Sequence, residues 1–127
     1  MAQRERLICA SSDLAELGRG VRFELTRAGK PQPAFVVRFD GQPHAFLNQC
    51  GHVPVELDWQ PGEFFDDSRL YLICATHGAL YHPASGHCVG GRCAGRGLIP
   101  VPVVERDGQV YLLDGSIKNS LMEDNNE

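Results

Sequence analysis

Two short stretches of the chain carry residue types that could do chemistry. Cys50-Gly51-His52 and Cys74-Ala75-Thr76-His77 each offer one thiolate and one imidazole. A two-iron, two-sulfide cluster with mixed ligation needs this set, because two cysteines hold one iron and two histidines hold the other. A tetrahedral zinc ion could use the same four atoms. The sequence therefore indicates a metal centre held by Cys50, His52, Cys74 and His77.

The spacing inside each stretch keeps both ligands on one tight loop, so that two loops side by side could grip a small cluster from opposite edges. Gly51 lies inside the first box and Gly78 directly after the second. We expect both glycines to remove a side chain where the backbone must approach the cluster closely. Backbone N–H groups in such loops can point at the cluster sulfurs and tune the potential.

Around these boxes the sequence resembles the Rieske ferredoxins. The stretch His77-Gly78-Ala79-Leu80-Tyr81 resembles the family's His-Gly-x-x-Tyr. Gly86-His87-Cys88 and Gly90-Gly91-Arg92-Cys93 resemble its glycine-rich third loop, and 98–101 its closing strand. The likeness covers residues 5–115. Two features depart from the family pattern: the 21-residue connection 53–73 is long, and Arg92 stands where the family usually has proline.

The resemblance implies an all-β fold, a Rieske-like antiparallel β-sandwich that carries a small cluster-binding subdomain. We expect residues 1–115 to form this domain, with the subdomain at about 46–95, and 116–127 to be an acidic, disordered tail. One [2Fe–2S] cluster of the Rieske type is the implied cofactor. In that family the tyrosine matching Tyr81 can donate its hydroxyl to a ligating sulfur; the alternative for Tyr81 is an ordinary strand aromatic.

Composition limits the partners. A chain of 127 residues is one domain. Its net charge of −4 and pI near 5.7 argue against nucleic acid and anionic membranes as partners. No apolar run has the length of a membrane span, and no signal peptide is visible. The five cysteines are an odd number, which fits disulfide staples poorly, so we expect a cytoplasmic protein with reduced thiols.

Short alternating segments bounded by glycine and proline predict about ten strands, whereas helical periodicity is nearly absent. Asp40-Gly41 and Asp107-Gly108 each predict a hairpin turn. We expect a loop at 29–33 and a long connection at 53–69 that contains five carboxylates. The predicted strands are 5–10, 21–27, 35–39, 45–48, 70–73, 79–82, 87–89, 98–105 and 109–113.

Several other side chains have both a chemical and a structural interpretation. Cys88 and Cys93 could form a disulfide or a second metal pair, but we expect small buried residues under the cluster. Cys9 is expected in the core. Three aromatics of the long connection could roof the cluster or dock a partner, although a satellite core is the favoured interpretation: Trp59, Phe64 and Phe65.

The residues beside the boxes predict a low potential. High-potential members of the family have a disulfide between the boxes and a serine two residues after the second histidine. The matching positions here are Val55, Thr76 and Ala79. With fewer hydrogen bonds to stabilise the reduced cluster, we expect the low end of the Rieske range, roughly −150 mV.

The implied function is a soluble one-electron carrier with no substrate chemistry of its own. The resemblance implies transient protein partners, a flavin-dependent reductase that supplies electrons and a terminal oxygenase that accepts them. Three alternatives stay open: a small Rieske subunit of a larger reductase of the nitrite-reductase type, a redox-responsive binding module, and a zinc structural module.

Overall fold

In a computed structural model, the described residues form ten β-strands and one short 3-10 helix at Ser11–Asp13. The structure describes residues 5–50, 55–58, 60–76, 78–91 and 96–113, and within these ranges no α-helix occurs. The strands are β1 (Glu5–Ala10), β2 (Val21–Arg27), β3 (Lys30–Phe39), β4 (Gln42–Leu47), β5 (Leu72–Ile73), β6 (Leu80–Tyr81), β7 (Cys88–Gly90), β8 (Pro100–Val101), β9 (Val103–Arg106) and β10 (Gln109–Leu113). The all-β prediction is confirmed.

The strands form three antiparallel sheets, in the orders β1-β10-β9, β2-β3-β4-β8 and β5-β6-β7. The chain passes from the second sheet to the first at Pro102, between β8 and β9. The single strand predicted over 98–105 is therefore two strands, because proline has no N–H with which to continue a ladder. Among the described residues no helix is long and apolar enough to span a membrane.

The sheet β2-β3-β4-β8 is the middle layer of the fold, because β3 is buried on both faces. Successive side chains of a strand point to opposite faces. Ala34 and Val36 pack into one core with residues of β1 and β10. Phe35 and Val37 pack into a second core with the region around β5 and β6. The second core contains both candidate cysteine ligands. The middle sheet therefore contributes side chains to the core in which the candidate metal site lies.

The Asp-Gly hairpin turns occur where the sequence predicts them. Asp40 and Gly41 have φ of 56° and 76°, and Phe39 pairs with Gln42 across a two-residue loop. Asp107 and Gly108 have φ of 54° and 76° between β9 and β10. Two successive positive φ values are typical of the type I′ turn, which suits the twist of the flanking strands.

The loop predicted at 29–33 is wrong, because β3 already begins at Lys30 after a turn at Ala28-Gly29. Pro31 and Pro33 suggested a loop. Both precede the part of β3 that pairs with β4, which starts at Ala34. The prolines therefore pair with β2 on one side and with no strand on the other. At such an edge position a missing N–H is tolerated.

A half-buried ion pair joins the middle sheet to the outer one. Two guanidinium nitrogens of Arg38 lie 2.7 and 3.1 Å from the carboxylate oxygens of Glu105, and Arg38 also donates to the carbonyls of Leu14 and Ser11. The hydrogen bonds from Arg38 lower the pKa of Glu105 from its usual 4.5 to about 2. Two hydrogen bonds between the guanidinium and the carboxylate replace the water that both charged groups lose on partial burial.

Glu105→Gln is expected to lower the free energy of unfolding at pH 7 by about 2 kcal/mol, since it removes a charge-assisted pair. A carboxyl group with a depressed pKa stabilises the fold above its unfolded pKa. Its contribution is lost as the pH falls from about 4.5 towards 2. Urea unfolding should therefore show the full difference between variant and wild type at pH 7, a reduced one at pH 3 and little as the pH approaches 2. A Glu5→Gln control, at an exposed pair with Arg106, should change stability less.

Candidate metal centre

The first candidate ligand follows β4. After Leu47 the chain leaves the strand, and Cys50 is buried with 3% of its surface exposed. The Cys50 N–H donates to the carbonyl of Val55 at 2.8 Å. This bond closes a short loop that begins at the first box. Gly51 and His52 lie outside the described residues.

The second candidate ligand follows β5. Cys74 is fully buried, its N–H donates to the Ala79 carbonyl at 2.9 Å, and its carbonyl accepts from the Gly78 N–H at 2.8 Å. Gly78 has φ of +76°, and a Cβ there would meet no described atom within 4 Å. The turn requires glycine for its left-handed backbone, rather than for close approach to another part of the described chain. His77 lies outside the described residues.

The fold brings the two cysteines into one core. This core also includes Tyr81, and no more than 3% of the surface of Cys50, Cys74 or Tyr81 is exposed to solvent. The Tyr81 hydroxyl lies 3.2 Å from the Cys50 sulfur. The two loops also meet directly, because the Ala75 N–H donates to the Leu57 carbonyl at 3.0 Å.

The third loop lies against the second. A Cβ at Gly91 would come within 2.8 Å of the Ala79 Cα and 2.9 Å of the Gly78 carbonyl oxygen, and Gly91 has φ of +82°. Only glycine permits both this backbone and this approach. The turn that holds Cys74 is therefore covered by residues that directly precede Arg92.

Cys88 corrects one of our expectations. Cys88 is disulfide-bonded, whereas Cys9, Cys50 and Cys74 are not. Its partner accordingly lies outside the described residues. We expected a free, packed cysteine because such residues often behave as small hydrophobes and the sequence indicated a cytoplasmic protein. Spacing along the chain does not reveal whether a turn brings two Cβ atoms to the short separation that a disulfide needs.

The long connection is part of the main core rather than a satellite. Phe64 and Phe65 are buried in the same core as Cys50 and Cys74, and the Phe64 ring stacks on Phe35 with centroids 3.9 Å apart. Carboxylates of the connection meet arginines from before and within β2, in the pairs Arg19–Glu63 (3.2 Å) and Arg22–Glu56 (2.5 Å). The satellite core predicted for Phe64 and Phe65 was wrong, because the core that contains them also includes residues distant in sequence, such as Phe35. Trp59 lies outside the described residues.

The histidines outside the boxes have ordinary surroundings. The exposed His82 accepts a hydrogen bond from the Ala84 N–H at Nδ1 (3.1 Å), and its ring is 5.7 Å from Phe39. Burial lowers the pKa of the half-buried His44. Within the described ranges no group of three or more His, Cys, Asp or Glu side chains is placed to hold a metal. Two of the four proposed ligands, His52 and His77, fall outside those ranges.

Comparison with known families decides what kind of centre this is. A sequence model of the Rieske [2Fe-2S] domain matches residues 5–114. The chain belongs to the Rieske [2Fe-2S] domain family. Its cofactor is accordingly a [2Fe–2S] cluster of the Rieske type, as the paired boxes predicted. No match was found among curated proteins.

Solved structures share the fold. The ferredoxin of carbazole 1,9a-dioxygenase from Nocardioides aromaticivorans IC177 superposes with a TM-score of 0.67 at 19% identity, covering 85% of this chain and 95% of that one. A complex of reduced oxygenase and oxidized ferredoxin in carbazole 1,9a-dioxygenase matches with a TM-score of 0.67 at 22% identity, covering 89% and 95%. The terminal oxygenase from the same Nocardioides strain matches with a TM-score of 0.65 at 21% identity, covering 88% of this chain but 30% of that one.

The described residues fit a Rieske cluster. Thiolates are the soft ligands that Fe–S clusters require, and Cys50 and Cys74 are buried in one core here without a disulfide. Because a metal-bound thiolate carries no proton, the Tyr81 hydroxyl would be the donor to the Cys50 sulfur. Burial of both thiols keeps water from the sulfur side of the site.

Tyr81→Phe tests this hydrogen bond. Removing a donor to a ligating sulfur destabilises the more negative reduced state more than the oxidised one, so we expect a lower midpoint potential. The shift should be on the order of tens of millivolts, since 59 mV corresponds to about 1.4 kcal/mol for one electron. Protein-film voltammetry measures it, with Tyr71→Phe, in the connection between the two boxes, as the control. A midpoint equal to that of wild type would contradict the proposed bond.

Proposed function

We propose that this protein is a one-electron carrier whose Rieske cluster is held by Cys50, His52, Cys74 and His77. In this arrangement the cysteines ligate one iron and the histidines the other. The observation that carries the proposal is that the cysteines of both boxes are buried in one core and take part in no disulfide, in a chain that matches the Rieske domain from residue 5 to 114. When bound, the cluster supplies reversible transfer of one electron.

The surrounding residues would position and tune the cluster. Tyr81 donates to the Cys50 sulfur, Gly78 forms the turn after the second box, and Ala79 is buried beneath Gly91. Gly51 completes the neighbours that we assign to the site. Because Val55 and Thr76 cannot form the disulfide of high-potential members, and Ala79 has no hydroxyl, we place the potential near roughly −150 mV.

The proposed partners are a flavin-dependent reductase and a terminal oxygenase. Support comes from the match to nearly the full length of a carbazole-dioxygenase ferredoxin, and from the structure of a ferredoxin in complex with its oxygenase. Encounters between electron carriers are usually small and transient, which lets one carrier serve two partners in turn. We further propose a cytoplasmic location; the thiol of Cys9 fits it, whereas the disulfide at Cys88 is unusual for that compartment.

We also propose the division of the chain made from the sequence, with a Rieske domain at 1–115, a cluster-binding subdomain at about 46–95 and an acidic tail at 116–127. The separate sheet β5-β6-β7, which shares its core with Cys50 and Cys74, supports the subdomain. The tail lies outside the described residues.

The EPR spectrum of the dithionite-reduced protein, purified without added metal, tests the proposed function. A rhombic signal with an average g clearly below that of all-cysteine clusters is the expected result, because histidine ligation changes the electronic structure of one iron. A silent spectrum with stoichiometric zinc would instead identify a structural metal module. Electron transfer from a reductase of an aromatic-ring oxygenase system, followed by stopped-flow absorbance, then tests the partner assignment.

A further inference from the structure

A buried carboxylate lies in the long connection between the boxes. The Asp58 side chain is fully buried, yet each of its oxygens has a partner. Oδ1 accepts a hydrogen bond from Asn48 Nδ2 at 3.0 Å, and Oδ2 accepts one from the Gly62 N–H at 2.9 Å. Arg22 Nε lies 3.5 Å from Oδ2. Burying a carboxylate without such partners is costly, so the fold depends on these partners being in place around Asp58.

The network around Asp58 reaches both ligand loops. Asn48 lies two residues before Cys50, and its Oδ1 accepts from the Leu57 N–H at 2.8 Å. The Leu57 carbonyl in turn accepts from the N–H of Ala75, the residue after Cys74, at 3.0 Å. A continuous set of hydrogen bonds therefore runs from Asp58 through Asn48 and Leu57 to the second box.

The chemistry of the facing groups explains why this residue is an aspartate. Both groups that meet its oxygens at hydrogen-bond distance are donors, and only an ionised carboxylate accepts at both oxygens. An asparagine would turn an NH₂ group towards one of the two donors. Asp58 also lines a cleft of about 380 Å³ together with Ala75 and Thr76, so its charge lies beside the second box.

The negative charge of Asp58 should lower the midpoint potential of the cluster. A negative charge held away from water acts through a low local dielectric, where electrostatic interactions are strong. Such a charge disfavours the more negative, reduced state of a nearby cluster. Arg22 opposes it, but the Arg22 side chain is 38% exposed and is shared with Glu56, so solvent screens it.

We propose that Asp58 is a positioning residue for the cluster, which holds both ligand loops through Asn48 and Leu57 and lowers the midpoint potential by its buried charge. This inference rests on the proposed cluster site and adds to it a residue outside the ligand boxes. Sequence reasoning missed both Asp58 and Asn48. The available signal was Asn48, a polar residue that directly follows an apolar strand and stands two positions before the candidate ligand Cys50.

The test compares full-length Asp58→Asn with wild type and with Glu56→Gln. Glu56 is the matched control because it also pairs with Arg22, but it is 43% exposed and has no hydrogen bond to Asn48 or Gly62 among those described. For Asp58→Asn we expect a higher midpoint potential, and cluster bleaching by an iron chelator about tenfold faster. Amide exchange by mass spectrometry should speed up in peptides that contain Leu57 and Ala75. Glu56→Gln should match wild type in all three measurements.

Arg22→Gln keeps the inference testable if Asp58→Asn fails to fold. Removing the counter-charge leaves the bonds from Asp58 to Asn48 and Gly62 in place, so the midpoint should fall, opposite in sign to the Asp58→Asn shift. An unchanged or raised midpoint with Arg22→Gln would overturn the inference, as would an unchanged midpoint with a folded Asp58→Asn. Faster bleaching with an unchanged midpoint would also overturn it, because that result describes structure without tuning.

The failure of this inference is distinguishable from that of the proposed function. Wild-type protein without iron and acid-labile sulfide would contradict the proposed function itself. The amide-exchange comparison would still decide whether Asp58 holds Leu57 and Ala75 in the protein as purified. Wild-type protein with a cluster, beside variants that match it in potential and exchange, would contradict only the inference.

Discussion

Cys74→Ser is expected to abolish the visible absorbance and the EPR signal of the purified protein. Serine presents a hydroxyl that does not ionise near neutral pH, and oxygen is a harder ligand than the thiolate that iron–sulfur clusters require. Cys74 is fully buried, so no solvent-derived ligand is at hand to replace the sulfur. Cys50→Ser should have the same effect. Iron and acid-labile sulfide content should fall to background in both variants.

Cys9→Ser is the matched control for these substitutions. Cys9 is also buried and outside any disulfide, but it lies in the other core, between the outer and middle sheets. Burial raises the pKa of the Cys9 thiol to about 11, so this residue stays a neutral, packed thiol. We expect the Cys9 variant to keep its iron, sulfide and spectrum. A Cys74 variant that retains a rhombic signal, or a Cys9 variant that loses it, would contradict the ligand assignment.

Phe64→Ala is expected to lower the free energy of unfolding by about 3–5 kcal/mol, as for other fully buried phenylalanines. Phe64 is wholly inaccessible to solvent, stacks on Phe35 and lies against Gly20, where a Cβ would come within 2.7 Å of the ring. Its carbonyl also accepts from the N–H of Ile73, the residue before Cys74, at 2.8 Å. The cavity should therefore weaken both the fold and the seat of the second box.

Chemical denaturation of the cluster-loaded protein, followed by circular dichroism and by visible absorbance, measures both effects. Leu70→Ala is the control in the same connection, because Leu70 is 57% exposed and its truncation should cost less than about 0.5 kcal/mol. If Phe64→Ala were no more destabilising than Leu70→Ala, the connection would not be part of the core that holds the site.

Local sequence signals predicted much of the scaffold. The turn at Asp40-Gly41 needs two positive φ values, and Asp-Gly is among the pairs that accept them, so the β3–β4 hairpin could be located without coordinates. Alternation of apolar and polar residues likewise predicted β2 and β10 to the residue. These predictions succeeded because each depends on residues that are neighbours along the chain.

Contacts between distant residues were outside the reach of such signals. The stacking of Phe64 on Phe35 and the pairing of Arg38 with Glu105, 67 positions apart, depend on which sheet faces which. The start of β3 at Lys30 depends on where β4 begins to pair. A local pattern of residue types does not predict these long-range contacts, because many arrangements of the same strands would satisfy the same periodicity.

The sequence by itself determined the chemistry of the protein: two boxes of cysteine and histidine at spacings that suit a mixed-ligand cluster, in a chain of short strands. The tertiary structure decided how that chemistry is held and shielded. It placed Cys50 and Cys74 in one core, brought the Tyr81 hydroxyl to 3.2 Å from a sulfur, and buried the Asp58 carboxylate against Asn48, two residues before Cys50. The physical reason is that ligand identity is a property of single side chains. Burial, hydrogen bonding and local dielectric arise only when segments far apart in sequence pack together.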